Sequence, residues 1–102
     1  MNIQLIFLDS CPNAGPAREL LRGALLDCGL PPKFEEVDTS NPATPDHLAQ
    51  WGSPTILIDG RDVGGEVATT GPACRLYRDH EGRLTGTPSA EAIKAALLGV
   101  RT

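Results

Sequence analysis

Apolar residues first gather at Ile3 to Leu8 (IQLIFL), a near-continuous run closed by Asp9-Ser10-Cys11-Pro12. A short run of this kind predicts a strand buried on both faces, in a sheet that contains parallel pairs. The pattern then changes to a helical period from Ala14 to Cys28. Leu21, Leu25 and Cys28 form one stripe, with Leu20 and Ala24 beside it. Pro16 lies near the start of this segment, where proline is tolerated, and Gly29 follows its end, with Pro31 and Pro32 beyond. Gly23 in mid-helix costs about 1 kcal/mol relative to alanine, which suggests a close contact there. Lys33 to Asp38 (KFEEVD) reads as a weaker strand carrying Phe34 and Val37, and its charge places it near a sheet edge. Thr39 to Pro45 is loop chemistry, and Asp46 to Trp51 suits a short helix. Thr55 to Ile58 (TILI) is a strand, Asp59-Gly60 a two-residue hairpin turn, and Arg61 to Val63 the returning strand.

After Gly64-Gly65 the pattern weakens. Glu66 to Pro72 has no period, Cys74 to Tyr77 suits either a helical turn or a short strand, and Glu81-Gly82 marks a turn. Arg83 to Pro88 is ambiguous. Ser89 to Leu98 is the last helix: Ser89 is placed to cap it, Glu91 lies in its first turn, and Ile93, Ala96 and Leu97 share a face. The order is therefore β-α-β-α-β-β, an irregular insertion or lid over residues 66–88, then α. A right-handed crossover makes the first two strands parallel, and the hairpin makes the four-stranded sheet mixed, with helices on its faces. The expectation is one small α/β domain spanning residues 1–102, layered in two or three.

A chain of 102 residues is long enough to bury a modest core. The net charge of -4 argues against a nucleic-acid module. Phe7, Phe34, Trp51 and Tyr77 are the only aromatic residues, too few for a base-stacking platform. No apolar run approaches the roughly 18 residues needed to span a bilayer, and the apolar start lacks a basic leader, so a cytoplasmic protein without membrane contact is expected. The three cysteines, Cys11, Cys28 and Cys74, are odd in number and widely spaced, unlike a disulfide scaffold. His47 and His80 are isolated and no Cys-x-x-Cys pair exists, so neither a zinc site nor another resident metal or cofactor is expected.

Cys11 carries the strongest chemical signal. It stands where a buried strand ends and a helix begins, in the turn Cys11-Pro12-Asn13-Ala14-Gly15-Pro16. The free N–H groups and positive dipole end of a helix favour thiolate over thiol. Asp9 is a counterweight, because a facing carboxylate would raise the thiol pKa. Pro54, directly before the TILI strand, marks either a plain turn or a cis peptide bond.

Taken in order, these features resemble the thioredoxin fold, and within it the glutaredoxin-like proteins. Cys11-Pro12-Asn13-Ala14 aligns with the family's Cys-Pro-x-Cys turn, Ser53-Pro54-Thr55 with its cis-proline segment, and Gly64-Gly65 with its Gly-Gly turn. The likeness runs from about residue 2 to 66. It implies thiol–disulfide exchange, in which a Cys11 thiolate attacks a disulfide sulfur and forms a mixed disulfide. It also implies a substrate side made of Pro12, Ser53, Pro54, Thr55, Gly64 and Gly65. Ser53 would offer strand-like hydrogen bonds, and Gly64-Gly65 would help hold a glutathione γ-glutamyl group. Two departures stand out. Ala14 occupies the position of the second active-site cysteine, and Asp9-Ser10 replaces the basic residue usual in glutathione binders. The turn also differs from the Cys-Gly-Phe-Ser turn of the cluster-binding monothiol branch.

With Ala14 in place, Cys74 becomes the candidate resolving cysteine, and Arg75 could favour thiolate at either sulfur. The competing reading of Cys74 is a buried packing residue. Cys28 belongs to the helix stripe. Trp51 is expected to pack, or otherwise to line a groove beside Pro54. His47, His80, Asp79, Glu81 and Arg83 read as solvated, and Arg18 and Arg22 as an exposed helix face. The resulting expectation is a monomeric oxidoreductase acting on a disulfide or thiol partner, either protein or glutathione-like. Cys11 would be catalytic, and Cys74 or an external thiol would resolve the mixed disulfide. Two alternatives use the same residues: a thiolate site that binds or transfers Cu(I) or Hg(II), and a redox-silent adaptor that uses the Pro54 groove for protein contacts.

Overall fold

A computed structural model describes residues 1–66, 73–79 and 81–99. Its first strand, β1 (Ile3–Phe7), leads into helix α1 (Ala14–Asp27) and returns through β2 (Glu35–Asp38). A four-residue helix α2 (Asp46–Ala49) precedes β3 (Thr55–Ile58), which turns into β4 (Arg61–Asp62). Two further strands, β5 (Tyr77–Arg78) and β6 (Leu84–Thr85), come before the last helix, α3 (Ala90–Leu97). The main sheet has the order β2-β1-β3-β4. β1 runs parallel to β2 and antiparallel to β3, and β3 and β4 form an antiparallel hairpin. The mixed sheet expected from the chain is therefore present, with the charged β2 on one edge.

Alternation along the strands divides the core between the two faces of the sheet. Leu5, Ile56 and Ile58 pack with Ala17, Leu21, Ala24 and Leu25 of α1 and with Ile93 and Leu97 of α3. Ile6 and Leu57 point the other way and meet Val37, Trp51 and, from α2, Leu48. Trp51 is thus a packing residue. Cys28 packs against the helical side of the core, as its stripe predicts. Ser89 caps α3 by accepting a 3.0 Å hydrogen bond from the Ala92 N–H.

Four expectations are corrected. The β5–β6 hairpin is absent from the predicted order, which treats this stretch as an irregular insertion. With two residues per strand, neither can show a period of two. The turn between them is built by Asp79, whose Oδ1 accepts from the N–H groups of Glu81 and Arg83 at 2.9 Å, while Gly82 adopts a φ of 81°. Asp79 is consequently a half-buried turn anchor instead of a solvated charge. Gly23 marks no close contact, since a Cβ built there would meet nothing within 4 Å. Arg18 is half-buried, paired with Glu36 and lying over the Phe7 ring, so only Arg22 sits on an exposed face. His47 is exposed. The expectation for His80, and that for the part of the lid formed by residues 67–72, lie outside the described residues. Among those described, no helix is long and apolar enough to cross a membrane.

Candidate functional site

The carboxyl end of β1, the first turn of α1 and the entry to β3 converge on one point. Cys11 closes the turn after β1 by donating its N–H to the Leu8 carbonyl at 2.8 Å. Opposite it the chain enters β3 through a cis Ser53-Pro54 bond, which resolves the choice that the sequence leaves open at Pro54. Ser53 ties the two segments together. Its hydroxyl accepts a 2.9 Å hydrogen bond from the Leu8 N–H, and its carbonyl lies 3.8 Å from Cys11 Sγ as an acceptor for the thiol.

Cys74 completes the site. Its Sγ is 3.7 Å from Cys11 Sγ and donates to it, although the two residues are 63 positions apart. Neither is in a disulfide. An S–S bond is about 2.05 Å long, so the sulfurs are in contact but unbonded. Main-chain pairing brings them there. The Ser53 N–H donates to the Ala73 carbonyl at 2.7 Å, and the Arg75 N–H donates to the Ser53 carbonyl at 2.9 Å, forming a parallel bridge between Ser53 and Cys74.

Side chains fix this short strap in place. Arg75 forms a 2.8 Å ion pair with Asp62 of β4, donates to Thr55 Oγ1 at 3.0 Å and lies over the Tyr77 ring. The Asp62 side chain is fully buried. Thr55 in turn donates to the Gly52 carbonyl at 2.6 Å, and the Tyr77 hydroxyl donates to the Pro54 carbonyl. Burial pushes the Tyr77 phenol well above its ordinary pKa, so it is a neutral donor. Gly64 and Gly52 are where this packing is tightest. A Cβ on Gly64 would come within 3.0 Å of Arg75, Asp62 and Tyr77, and one on Gly52 would reach 3.0 Å from Arg75 Cβ.

The two thiols are electrostatically unlike. Burial pushes Cys11 up, but hydrogen bonds from the Ser53 side chain, the Asn13 N–H, Cys74 and the Ala14 N–H outweigh it, and the net position is below the ordinary thiol value. Cys74 is held above that value by its hydrogen bond to Cys11 and by the Coulombic effect of the Cys11 charge. Of the two, Cys11 gives up its proton the more readily, and Cys74 is the donor in the contact between them. Asp9, an exposed residue, is not among the groups that move Cys11. Arg75 does not set either thiol: its charge is committed to Asp62, which corrects the role expected for it.

Of the residues predicted for the site, Cys11, Cys74, Ser53, Pro54 and Thr55 are brought together. Pro12 is exposed on the Cys11 turn. Gly64 is drawn in only by its packing against Arg75 and Tyr77, and Gly65, with a φ of 86°, is exposed beyond it. Asp62 and Tyr77 are missed by the sequence reading. One signal for Tyr77 is available: Arg75 and Tyr77 are two apart, and in an extended chain such residues share a face. Compared with known proteins, the chain matches no family model, no curated protein and no solved structure.

Proposed function

We propose that this chain is a thioredoxin-like, glutaredoxin-like thiol–disulfide oxidoreductase of the cytoplasm, in which Cys11 and Cys74 form an intramolecular redox couple. The observation that carries the reading is the 3.7 Å contact between the two sulfurs, with Cys11 held below and Cys74 above the ordinary thiol value. Support for the thioredoxin-like part comes from the strand order β2-β1-β3-β4 and from the cis-proline segment set against a cysteine at a helix start. A partner disulfide R–S–S–R′ takes up two electrons and becomes two thiols, while the two cysteines lose those electrons and join as Cys11–Cys74. A low-molecular-mass thiol restores the dithiol. The family's local second cysteine, absent at Ala14, is replaced by one carried on the strap.

The test is turnover of a small disulfide, such as cystine or glutathione disulfide, with dithiothreitol as the reductant. Wild type should turn over, and Cys11→Ser and Cys74→Ser should each lose about tenfold or more. Rates unaffected by either change contradict the reading. Among the described residues no third His, Cys, Asp or Glu joins the pair as a metal ligand. A two-coordinate Cu(I) or Hg(II) site is therefore the form the metal alternative would take, read out as one ion per chain lost in both variants.

A further inference from the structure

Under the order that the resemblance implies, an outside disulfide meets Cys11 first and Cys74 resolves it. The burial of the two residues runs the other way. Cys11 is only 6% exposed, whereas Cys74 is an exposed residue. What covers Cys11 is the chain itself. Both main-chain hydrogen-bonding groups of Ser53, which would receive an extended substrate, are already paired with Ala73 and Arg75. That strap is held by the buried Arg75–Asp62 ion pair and by the Tyr77 hydroxyl on the Pro54 carbonyl. Attack on a disulfide runs along the S–S axis, and the choice of sulfur depends on access. Cys74 is an exposed residue, whereas Cys11 is buried beside the Ser53 segment that the strap already occupies.

We propose that Cys74 is the sulfur through which this chain exchanges with outside thiols and disulfides, and that Cys11 is the buried partner that closes and reopens the internal bond. The inference rests on the reading of the two residues as a redox couple. In the reductive direction Cys74 gives its proton to Cys11 Sγ and attacks one sulfur of R–S–S–R′. The Cys74–S–R bond forms, the R–S–S–R′ bond breaks, and R′–S⁻ leaves and takes a proton from water. Cys11 Sγ then attacks Cys74 Sγ. The internal disulfide forms, the Cys74–S–R bond breaks, and R–S leaves with the Cys11 proton. Two electrons have passed from the cysteines to the substrate. In the return direction an external thiolate attacks Cys74 Sγ, and Cys11 departs as a thiolate. A second thiol then frees Cys74 as the external pair becomes a disulfide. Because the point of entry lies on the surface, the fitting substrates are small or well-exposed disulfides that need no groove around Cys11.

The test uses the full chain. Wild type is oxidised with diamide, freed of the oxidant, treated briefly with glutathione, quenched with N-ethylmaleimide and mapped by peptide mass spectrometry. A linked Cys11–Cys74 peptide is expected before glutathione. Afterwards the glutathione adduct on Cys74 should exceed that on Cys11 by about tenfold or more, with maleimide on Cys11. An adduct on Cys11 in equal or greater amount overturns the proposal and leaves the couple standing, whereas absence of the linked peptide overturns both. As a second arm, Cys11→Ser should take glutathione from glutathione disulfide at Cys74 about tenfold faster than Cys74→Ser takes it at Cys11. Equal rates in the two variants, each with the far-ultraviolet circular dichroism of wild type, also overturn it.

Discussion

Two segments meet at Ser53, and they are held by opposite means. Trp51–Ile58 is buried at every position, and its Ile56, Leu57 and Ile58 contribute to the cores on both faces of the sheet. The strap from Ala73 to Tyr77 buries one large apolar body, the Tyr77 ring; Ala73 and Cys74 are exposed, and Leu76 is 62% exposed. It stays in place through directed polar contacts, namely the Ser53 bridge, the Arg75–Asp62 pair and the Tyr77 hydroxyl. The first kind of support is non-directional and sums over area. The second is all-or-none, because a buried charge or carbonyl stripped of its partner is costly. A site with one cysteine beside each segment therefore has one fixed sulfur and one that can be released by breaking a few specific bonds.

The comparison can be broken most forcefully at Arg75. Arg75→Ala leaves Asp62 buried without its partner, and should destabilise the fold by about 3–5 kcal/mol in urea titrations. It should also lower the yield of the Cys11–Cys74 disulfide, which Asp62→Asn in the same chain should not restore even as it recovers part of the stability. Leu21→Ala attacks the other kind of support. It should cost about 2–5 kcal/mol and leave disulfide formation in the folded protein unchanged. If Leu21→Ala abolished the internal disulfide as Arg75→Ala does, the two supports would not be separable. Tyr77→Phe strips the Pro54 carbonyl of its donor and should cost about 1–3 kcal/mol, with a partial loss of disulfide yield. Gly23→Ala has open space for its Cβ and should stabilise the protein by about 1 kcal/mol through helix propensity alone. A destabilised Gly23→Ala would mean that α1 packs more closely there than described.

The smallest effect is on the pH dependence of stability, where the two cysteines act with opposite signs. Cys11, held below its ordinary value, adds stability that is complete above the unfolded-chain pKa and is lost as pH falls through the folded one. Cys74, held above, adds stability that is complete below the unfolded-chain pKa and is lost as pH rises through the folded one. The pair should therefore give a stability maximum near the ordinary thiol pKa. Cys11→Ser should flatten it, since the partner that raises Cys74 is also gone. An unchanged maximum in urea titrations of Cys11→Ser across this range would contradict the coupling.

The sheet and its apolar core were legible because their residues carry period. IQLIFL, TILI and the Leu21–Leu25 stripe each repeat often enough to declare an element, and Asp59-Gly60 declares its turn. The β5–β6 hairpin did not, since two-residue strands have no repeat to read. Cys11 could be picked out from its place before a helix. The contact that Cys74 makes with it is not legible in the sequence, because it spans 63 positions and depends on a parallel bridge with no sequence signature. Its place next to Cys74 in the sequence points Arg75 at the thiols. In the extended strap, however, neighbouring side chains point to opposite sides, so Arg75 turns towards Asp62 and away from the sulfurs.

The most direct measurement is pH-dependent alkylation of each cysteine in the native protein, followed by peptide mapping before and after mild oxidation. The account predicts that Cys11 titrates below and Cys74 above the ordinary thiol value, that Cys11→Ser brings the Cys74 inflection down towards it, and that oxidation links the two. Two ordinary thiols that titrate independently, with no linked peptide after oxidation, would contradict it.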